Sequence, residues 1–379
     1  MAQDKVYSAA IIGLGRIGYS LGLDKKREQP ASHTMALLAN SRIKIVAGCD
    51  KNTETFADWQ KAVKGAAVYT DSSELYRNHA PDIITIAVNE SAHLNEAIRA
   101  INAKPRLVIL EKPVALNMKE ALLIKEASEK NNVPVLVNHE RRFSEDYAAA
   151  KKFLSEIGEL QEIKAGLYSA LAVYNAEEEK TGAYSLLHDG THLVDILLYF
   201  LEDQKSPSNL IQIPEKEPGK GKKEGNDIFF KNDSSDNSGK ITVNSILNRP
   251  ELTGIVRDEF GKLRQVNAFY RTHLCPSVNL FISGRSKFFQ FELVLTGTEG
   301  RVCIGNGYCK LYRSEESPLY ERFHSLVSDK SVSIPKKTLY FSNMIKNAVA
   351  FLDGKEELRS SLQTGMNALA ILEEIKRRF

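Results

Sequence analysis

Short apolar runs punctuate the first third of the chain, each ending in glycine, proline or a polar residue. Residues 6–12 (Val-Tyr-Ser-Ala-Ala-Ile-Ile) lead into a glycine-rich stretch, and Ile43 to Cys49 ends at Asp50. Ile83 to Val88 follows Pro81-Asp82, Leu107 to Leu110 runs into Glu111-Lys112-Pro113, and Val133 to Val137 ends at Asn138. Runs this short, apolar throughout and bounded by turn residues, predict buried parallel strands. Helical spacing fills the gaps between them, notably over 91–103 and 117–130. Strand and helix in alternation imply right-handed crossovers and a parallel, doubly wound α/β sheet.

The texture changes near residue 145. A helix is expected over 145–157, ending at Gly158, and an amphipathic one over 189–201. The rest is β-prone: 161–174, 241–247, 253–256, 277–283, 288–296 and 301–304. Successive strands without intervening helices predict an α+β region with a large, mostly antiparallel open sheet. One long helix is expected over 338–378. A chain of 379 residues exceeds what one hydrophobic core usually serves, so two domains are expected, 1–140 and 141–379. The C-terminal helix is free to pack back on the first of them. The segment 214–240, rich in Gly, Pro, Lys and Ser, reads as a mobile surface insertion.

Charge narrows the function. The 51 basic and 48 acidic side chains leave a net charge of +3, no electrostatic footprint for nucleic acid or an anionic membrane. Four scattered cysteines neither form a disulfide framework nor show zinc spacing, so no metal is expected. The opening Met-Ala-Gln-Asp-Lys lacks a signal-peptide pattern, and no run approaches the roughly 18 apolar residues of a membrane span. The expected location is the cytoplasm.

Candidate chemistry begins at Gly13-Leu-Gly15-Arg16-Ile17-Gly18, a G-x-G-x-x-G motif directly after the first strand. The first glycine permits a tight turn, the second lets backbone approach a pyrophosphate, and the third allows close helix–strand packing. A helix N-terminus there would offer free N–H groups and a positive dipole end to phosphates, with Arg16 pointing toward phosphate or adenine. Asp50, at the end of the second strand, is placed to accept hydrogen bonds from ribose hydroxyls and to repel a 2′-phosphate, which favours NAD. Lys51 beside it leaves NADP open. Asp50 lies 32 residues past Gly18, more than the usual ~20 from the motif, and the polar stretch Asp24–Pro30 reads as an insertion absorbing the difference.

From Glu111-Lys112-Pro113 onward the sequence resembles the glucose–fructose oxidoreductase / inositol dehydrogenase / MocA family. The resemblance spans about 10 to 305 and rests on motifs in order. They are the three glycines, Asp50, Asn89-Glu90-Ser-Ala-His93, Glu111-Lys112-Pro113, Arg141-Arg142-Phe143, Gly158-Glu-Leu-Gln-Glu-Ile, Gly190-Thr-His192-Leu-Val-Asp195 and the late Gly300-Arg. It implies a Rossmann domain followed by a substrate-binding and oligomerisation domain, in a homodimer or homotetramer. It also implies hydride transfer between nicotinamide and a hydroxyl or keto carbon of a sugar, nucleotide sugar or cyclitol.

By that resemblance Lys112 holds the reacting hydroxyl and shuttles its proton, and His192 is general base or relay. Asn89, Glu90, His93 and Glu111 border the nicotinamide, although packing at a helix start is the plainer role for His93. Arg141 and Arg142 contact substrate or cofactor, or else form ion pairs between domains. The sequence departs from the family pattern where Asp commonly stands four residues before the histidine: this position is His188, with Asp189 one step out of register. Either His188 joins His192 at the substrate, or a local bulge brings Asp189 in. That departure keeps alive a non-catalytic NAD-binding regulator, and an NAD-retaining hydrolase or epimerase is a further alternative.

Overall fold

The computed structural model describes residues 5–170, 190–202, 246–259, 261 and 263–378. His188, Asp189 and the segment 214–240 lie outside the described residues, as do the ends of two expected strands, 171–174 and 241–245. Ile246 and Leu247 form a bend, not a strand.

Six parallel strands form the first sheet: β1 (Tyr7–Ile12), β2 (Ile43–Cys49), β3 (Ala67–Tyr69), β4 (Ile83–Ile86), β5 (Leu107–Leu110) and β6 (Val135–Val137). Their order is β3-β2-β1-β4-β5-β6, so the direction of winding reverses between β1 and β4, where open α/β sheets bind ligands. The connecting helices are α1 (His33–Leu38), α2 (Phe56–Ala62), α3 (Ser72–Asn78), α4 (His93–Asn102) and α5 (Met118–Asn131). Sequence pattern passed over β3 and the short helices α1 to α3. β3 has only three residues, all half-buried, at the sheet edge, and so gives no apolar run.

Beyond β6 come α6 (Glu145–Phe153) and β7 (Leu160–Ala170), then α7 (Gly190–Leu201). The strands β8 (Glu251–Arg257), β9 (Leu263–Tyr270), β10 (Val278–Ser283), β11 (Arg285–Gly297), β12 (Gly300–Gly305), β13 (Tyr308–Glu316) and β14 (His324–Ser328) complete a second sheet with β7. Its order is β14-β13-β12-β11-β7-β10-β9-β8. Every neighbouring pair is antiparallel except β7 with β10. This is a Rossmann-type α/β unit followed by a large, mostly antiparallel sheet.

The expected single helix over 338–378 is two, α8 (Tyr340–Leu352) and α9 (Leu362–Arg377). The reason lies in the two faces of the first sheet. Side chains alternate along β1, so Ala9 and Ile11 join one core while Ala10 and Ile12 join the other. Phe341, Met344, Ile345 and Ala348 of α8 pack into the core with Ile11 and Ile109. Met366, Leu369 and Ile375 of α9 pack into the other, which continues through Val194 and Leu197 of α7 to Leu167, Leu280 and Leu293 of the second sheet. The linker between α8 and α9 must therefore pass around the edge strand β6. Gly354, at φ +72°, turns the chain out of α8. Ser360 then accepts from Val137 N at 3.1 Å, and Ser361 bridges to Leu136, which covers the exposed edge. Ser361 also caps α9, its side chain accepting from Thr364 N.

Among the described residues no helix is long and apolar enough to cross a membrane.

The first sheet owes part of its core to the far end of the chain. Phe341 is 2% exposed and meets the His33 ring edge-on at 5.2 Å. Phe341→Ala should cost about 3–5 kcal/mol of stability, read as a lower midpoint in urea with an unchanged slope.

Candidate active site

The glycine loop leaves the carboxyl end of β1 at the point where winding reverses. Gly13 has φ +97°, and a Cβ there would lie 2.5 Å from the Ala87 carbonyl at the end of β4. A Cβ on Gly18 would lie 2.0 Å from the Gly13 carbonyl, so the third glycine lets the loop fold onto itself. A Cβ on Gly15 would meet nothing within 4 Å. Backbone at Gly15 is thus bare toward open space, which is what close approach of a pyrophosphate requires. Asp50 fixes the loop from the side: its Oδ2 accepts from Leu14 N at 2.6 Å, and its Oδ1 accepts from Asn52 N at 2.8 Å. These residues fit a dinucleotide.

The helix expected after Gly18 comes in two pieces. Tyr19 N donates to Gly15 O and Leu21 N to Arg16 O, giving one turn that passes into a 3-10 turn at Ser20–Leu23. The chain then leaves on an excursion and returns at Ser32. There His33 N donates to Ile17 O (3.0 Å) and Thr34 N to Gly18 O (2.9 Å), so α1 resumes the interrupted helix. Within the excursion, Glu28 accepts from the backbone N–H groups of Thr338 and Leu339 at the start of α8, at 2.9 and 2.7 Å.

At the end of β5 the Glu111 carboxylate is buried. Its Oε1 lies 2.6 Å from His33 Nε2 and accepts from Asn138 Nδ2 at 2.6 Å. Burial pushes this carboxyl up, but the His33 contact, the Asn138 hydrogen bond and the Lys112 charge outweigh it and hold the pKa at about 2. Lys112 follows, half-buried, joined to Pro113 by a cis peptide. His93, buried at the start of α4, is bracketed by two carbonyls, Pro113 O at 2.7 Å from Nδ1 and Val88 O at 3.1 Å from Nε2. Burial lowers its pKa against the pull of those carbonyls, and the neutral ring, with one N–H, donates to one of the two.

The end of β6 carries Asn138, His139 and a 3-10 turn at Glu140–Phe143. Arg142, 3% exposed, donates from Nε to both carboxylate oxygens of Asp195, at 2.8 and 2.9 Å. Its terminal nitrogens donate to Glu202 at 2.9 and 3.0 Å. Burial pushes the Asp195 carboxyl up to about 6 despite Arg142. This clamp pins α7 to the end of β6, bringing the first turn of α7 against His139. His139 Nε2 lies 3.2 Å from Thr191 Oγ1, its Nδ1 lies 3.2 Å from Asp195 Oδ1, and its ring meets His192 edge-on at 6.3 Å. Burial first, then the charges of Arg142 and Lys112, hold the His139 imidazole well below its ordinary pKa. His139 is therefore a neutral ring that meets His192 and feels the Lys112 charge.

Residues 7–139 match an oxidoreductase family with an NAD-binding Rossmann fold. Over these residues the chain is similar to the Gfo/Idh/MocA oxidoreductases.

Inositol 2-dehydrogenase of Salmonella typhimurium is 26% identical over 205 residues, 52% of this chain and 56% of that protein. Oxidoreductase P35 of Formosa agariphila is 37% identical over 111 residues, 29% of this chain and 34% of that protein. The chain thus spans about half, or less, of these relatives' own length. The crystal structure of the WlbA dehydrogenase from Bordetella pertussis, in complex with NADH and UDP-GlcNAcA, superposes with a TM-score of 0.70 at 15% identity. That likeness covers 100% of this chain and 96% of the other, and it is a likeness of fold.

Within this Gfo/Idh/MocA frame, Gly13, Gly15, Gly18, Asp50, Glu90, Glu111 and Lys112 all lie at the carboxyl ends of the first sheet's strands. Arg16 is exposed and Ile17 half-buried on the glycine loop, and Asn89 is exposed after β4. Arg141 stacks its guanidinium 3.8 Å over the Phe291 ring. Arg142 has both faces of its guanidinium committed to buried or half-buried carboxylates, so it holds elements together. Sequence reading missed His33 as a member of this cluster and passed over His139 and Thr191. The signal for His33 was recoverable: with the excursion removed, the glycine motif runs straight into His33-Thr34.

The glycines separate two effects. Gly15→Ala should leave the melting temperature within about 2 °C, its Cβ entering open space, yet weaken NADH binding at least about tenfold. Gly18→Ala should lower both, because backbone must shift; fluorescence titration beside thermal melts checks the contrast. Glu111 gives a pH signature. Its folded pKa lies below the unfolded value near 4.5, so its contribution is full above that pH and is lost as pH falls toward about 2. The stability gap between the protein and Glu111→Gln should narrow across that window in denaturant titrations.

Proposed function

We propose that the protein is an NAD-dependent dehydrogenase or reductase acting on a hydroxyl or keto carbon of a sugar, nucleotide sugar or cyclitol. The observation that carries this reading is the placement of Lys112 at the end of β5, beyond the winding reversal, where its charge acts on the neutral His139, whose ring meets His192 edge-on. The dinucleotide, when bound, supplies the hydride acceptor or donor. Backbone N–H groups around Gly15 would hold its phosphates, and the Asp50 carboxylate would accept from ribose hydroxyls and disfavour a 2′-phosphate.

Lys112 takes the substrate oxygen. Its Nζ donates a hydrogen bond to the reacting hydroxyl. His192, at the first turn of α7, receives the hydroxyl proton and passes it toward solvent. The Arg142–Asp195 clamp keeps that turn in place, and His93 keeps Pro113 and hence Lys112 in place. The names of the relatives support the substrate class: one acts on inositol, and one structural neighbour was crystallised with a UDP-sugar.

Polyols and nucleotide sugars screened with NAD and NADP at 340 nm test the reading, with NAD expected to be preferred. Lys112→Met should bind NADH within about threefold of the unmodified protein while turnover falls roughly 10³-fold. Turnover persisting in that variant would remove Lys112 from the mechanism.

A further inference from the structure

His33 stands where the glycine loop and the Lys112 strand meet. Its backbone N–H continues the helix from Ile17, while the next residue, Thr34, donates from both N (2.9 Å) and Oγ1 (2.6 Å) to the Gly18 carbonyl. Trp59 Nε1 donates to Thr34 Oγ1 at 3.0 Å and locks that turn against β2, where the Trp59 ring covers Gly48. The His33 side chain points the other way. It is 0% exposed, packs edge-on against Phe341, and among the described residues its one polar contact is Nε2 with Glu111 Oε1 at 2.6 Å.

Packing alone would not choose histidine here. Among the described residues the buried Nδ1 has no hydrogen-bond partner, and a buried polar atom without one carries a penalty. A leucine or phenylalanine would fill the space without that penalty. What only a donor at this position provides is the bond to Glu111, the residue directly before Lys112. We propose that His33 is a positioning residue for Lys112, joining the helix that carries the glycine loop to the strand end that carries the lysine. The role rests on the assignment of Lys112 above. Through it the lysine and the dinucleotide loop share one rigid reference, and a displacement of about 1 Å at such a group can cost on the order of 10²-fold in rate.

The full chain carrying His33→Leu, His33→Gln or His33→Asn tests this. The Gln amide nitrogen reaches about where Nε2 stands, whereas that of Asn stops near Nδ1. His33→Leu and His33→Asn should lower kcat roughly 10²-fold with KM and NADH affinity within about threefold, and His33→Gln should recover at least about a tenth of the original kcat. His33→Leu combined with Glu111→Gln should be no slower than Glu111→Gln alone. A readout independent of turnover is the NMR signal of ¹³C-methylated Lys112, assigned by its loss in Lys112→Met. That signal should move in His33→Asn and return in His33→Gln. Should His33→Leu fail to fold, the Asn and Gln pair still decides. Unchanged kcat and an unmoved lysine signal in His33→Asn, or equal losses in Asn and Gln, overturn the positioning role. A moved lysine signal with no change in turnover leaves the structural link standing and overturns the catalytic assignment of Lys112 instead.

Discussion

A carboxylate cut off from water must be held by donors, and the arrangement around Glu111 follows from that need. Two donors converge on one oxygen, one from α1 and one from the end of β6, and the lysine that follows adds its charge. Each donor is brought there by a different part of the chain, so the carboxylate acts as a meeting point. It fixes β5 relative to β6, and both relative to the glycine loop through α1. Leaving such a group unpaired costs several kcal/mol, which makes the geometry of Lys112 a by-product of satisfying its neighbour.

A second constraint acts at the opposite side of β6. Arg142 brings Asp195 and Glu202 to the strand end that also carries Asn138, so α7 and the first sheet are joined by charge as well as by apolar packing. Buried ion pairs are weak contributors to net stability but are strongly directional. Here the direction sets the first turn of α7, and with it His192, over His139. The C-terminal helices complete the enclosure by covering one face of the first sheet each.

The first sheet was largely legible because buried parallel strands announce themselves as apolar runs; β1, β2 and β5 begin or end within a residue of where pattern puts them. Elements with no such signature were lost. β3 is a three-residue edge strand, and α1 has only six residues and follows an excursion. The 338–378 helix was misread because periodicity reports an apolar face, not which face of a sheet it will cover. For the site, residue types at strand ends pointed to Gly13, Asp50 and Lys112. His33 had a signal only in hindsight, once the excursion is set aside, and neither it nor His139 announced its partners, since a lone histidine has no period and only the fold shows what stands 2.6 Å away. Arg142 was legible, with ion pairing between domains as one of its two expected roles, but its partners were not, because they lie far along the chain.

The helix written in two pieces has one more consequence. Because α1 resumes on the carbonyls of Ile17 and Gly18, the ends of the excursion are held by the helix itself and not by the residues between them. Closing such a loop grows more costly only logarithmically, about 0.6 kcal/mol for each doubling of its length. The length of the stretch between Tyr19 and Ser32 can therefore vary at small cost in loop closure, provided that Glu28 still reaches the start of α8 and Ser32 still caps α1. Evolution has here a site for insertion that sits beside the chemistry and is tied to α8 through Glu28.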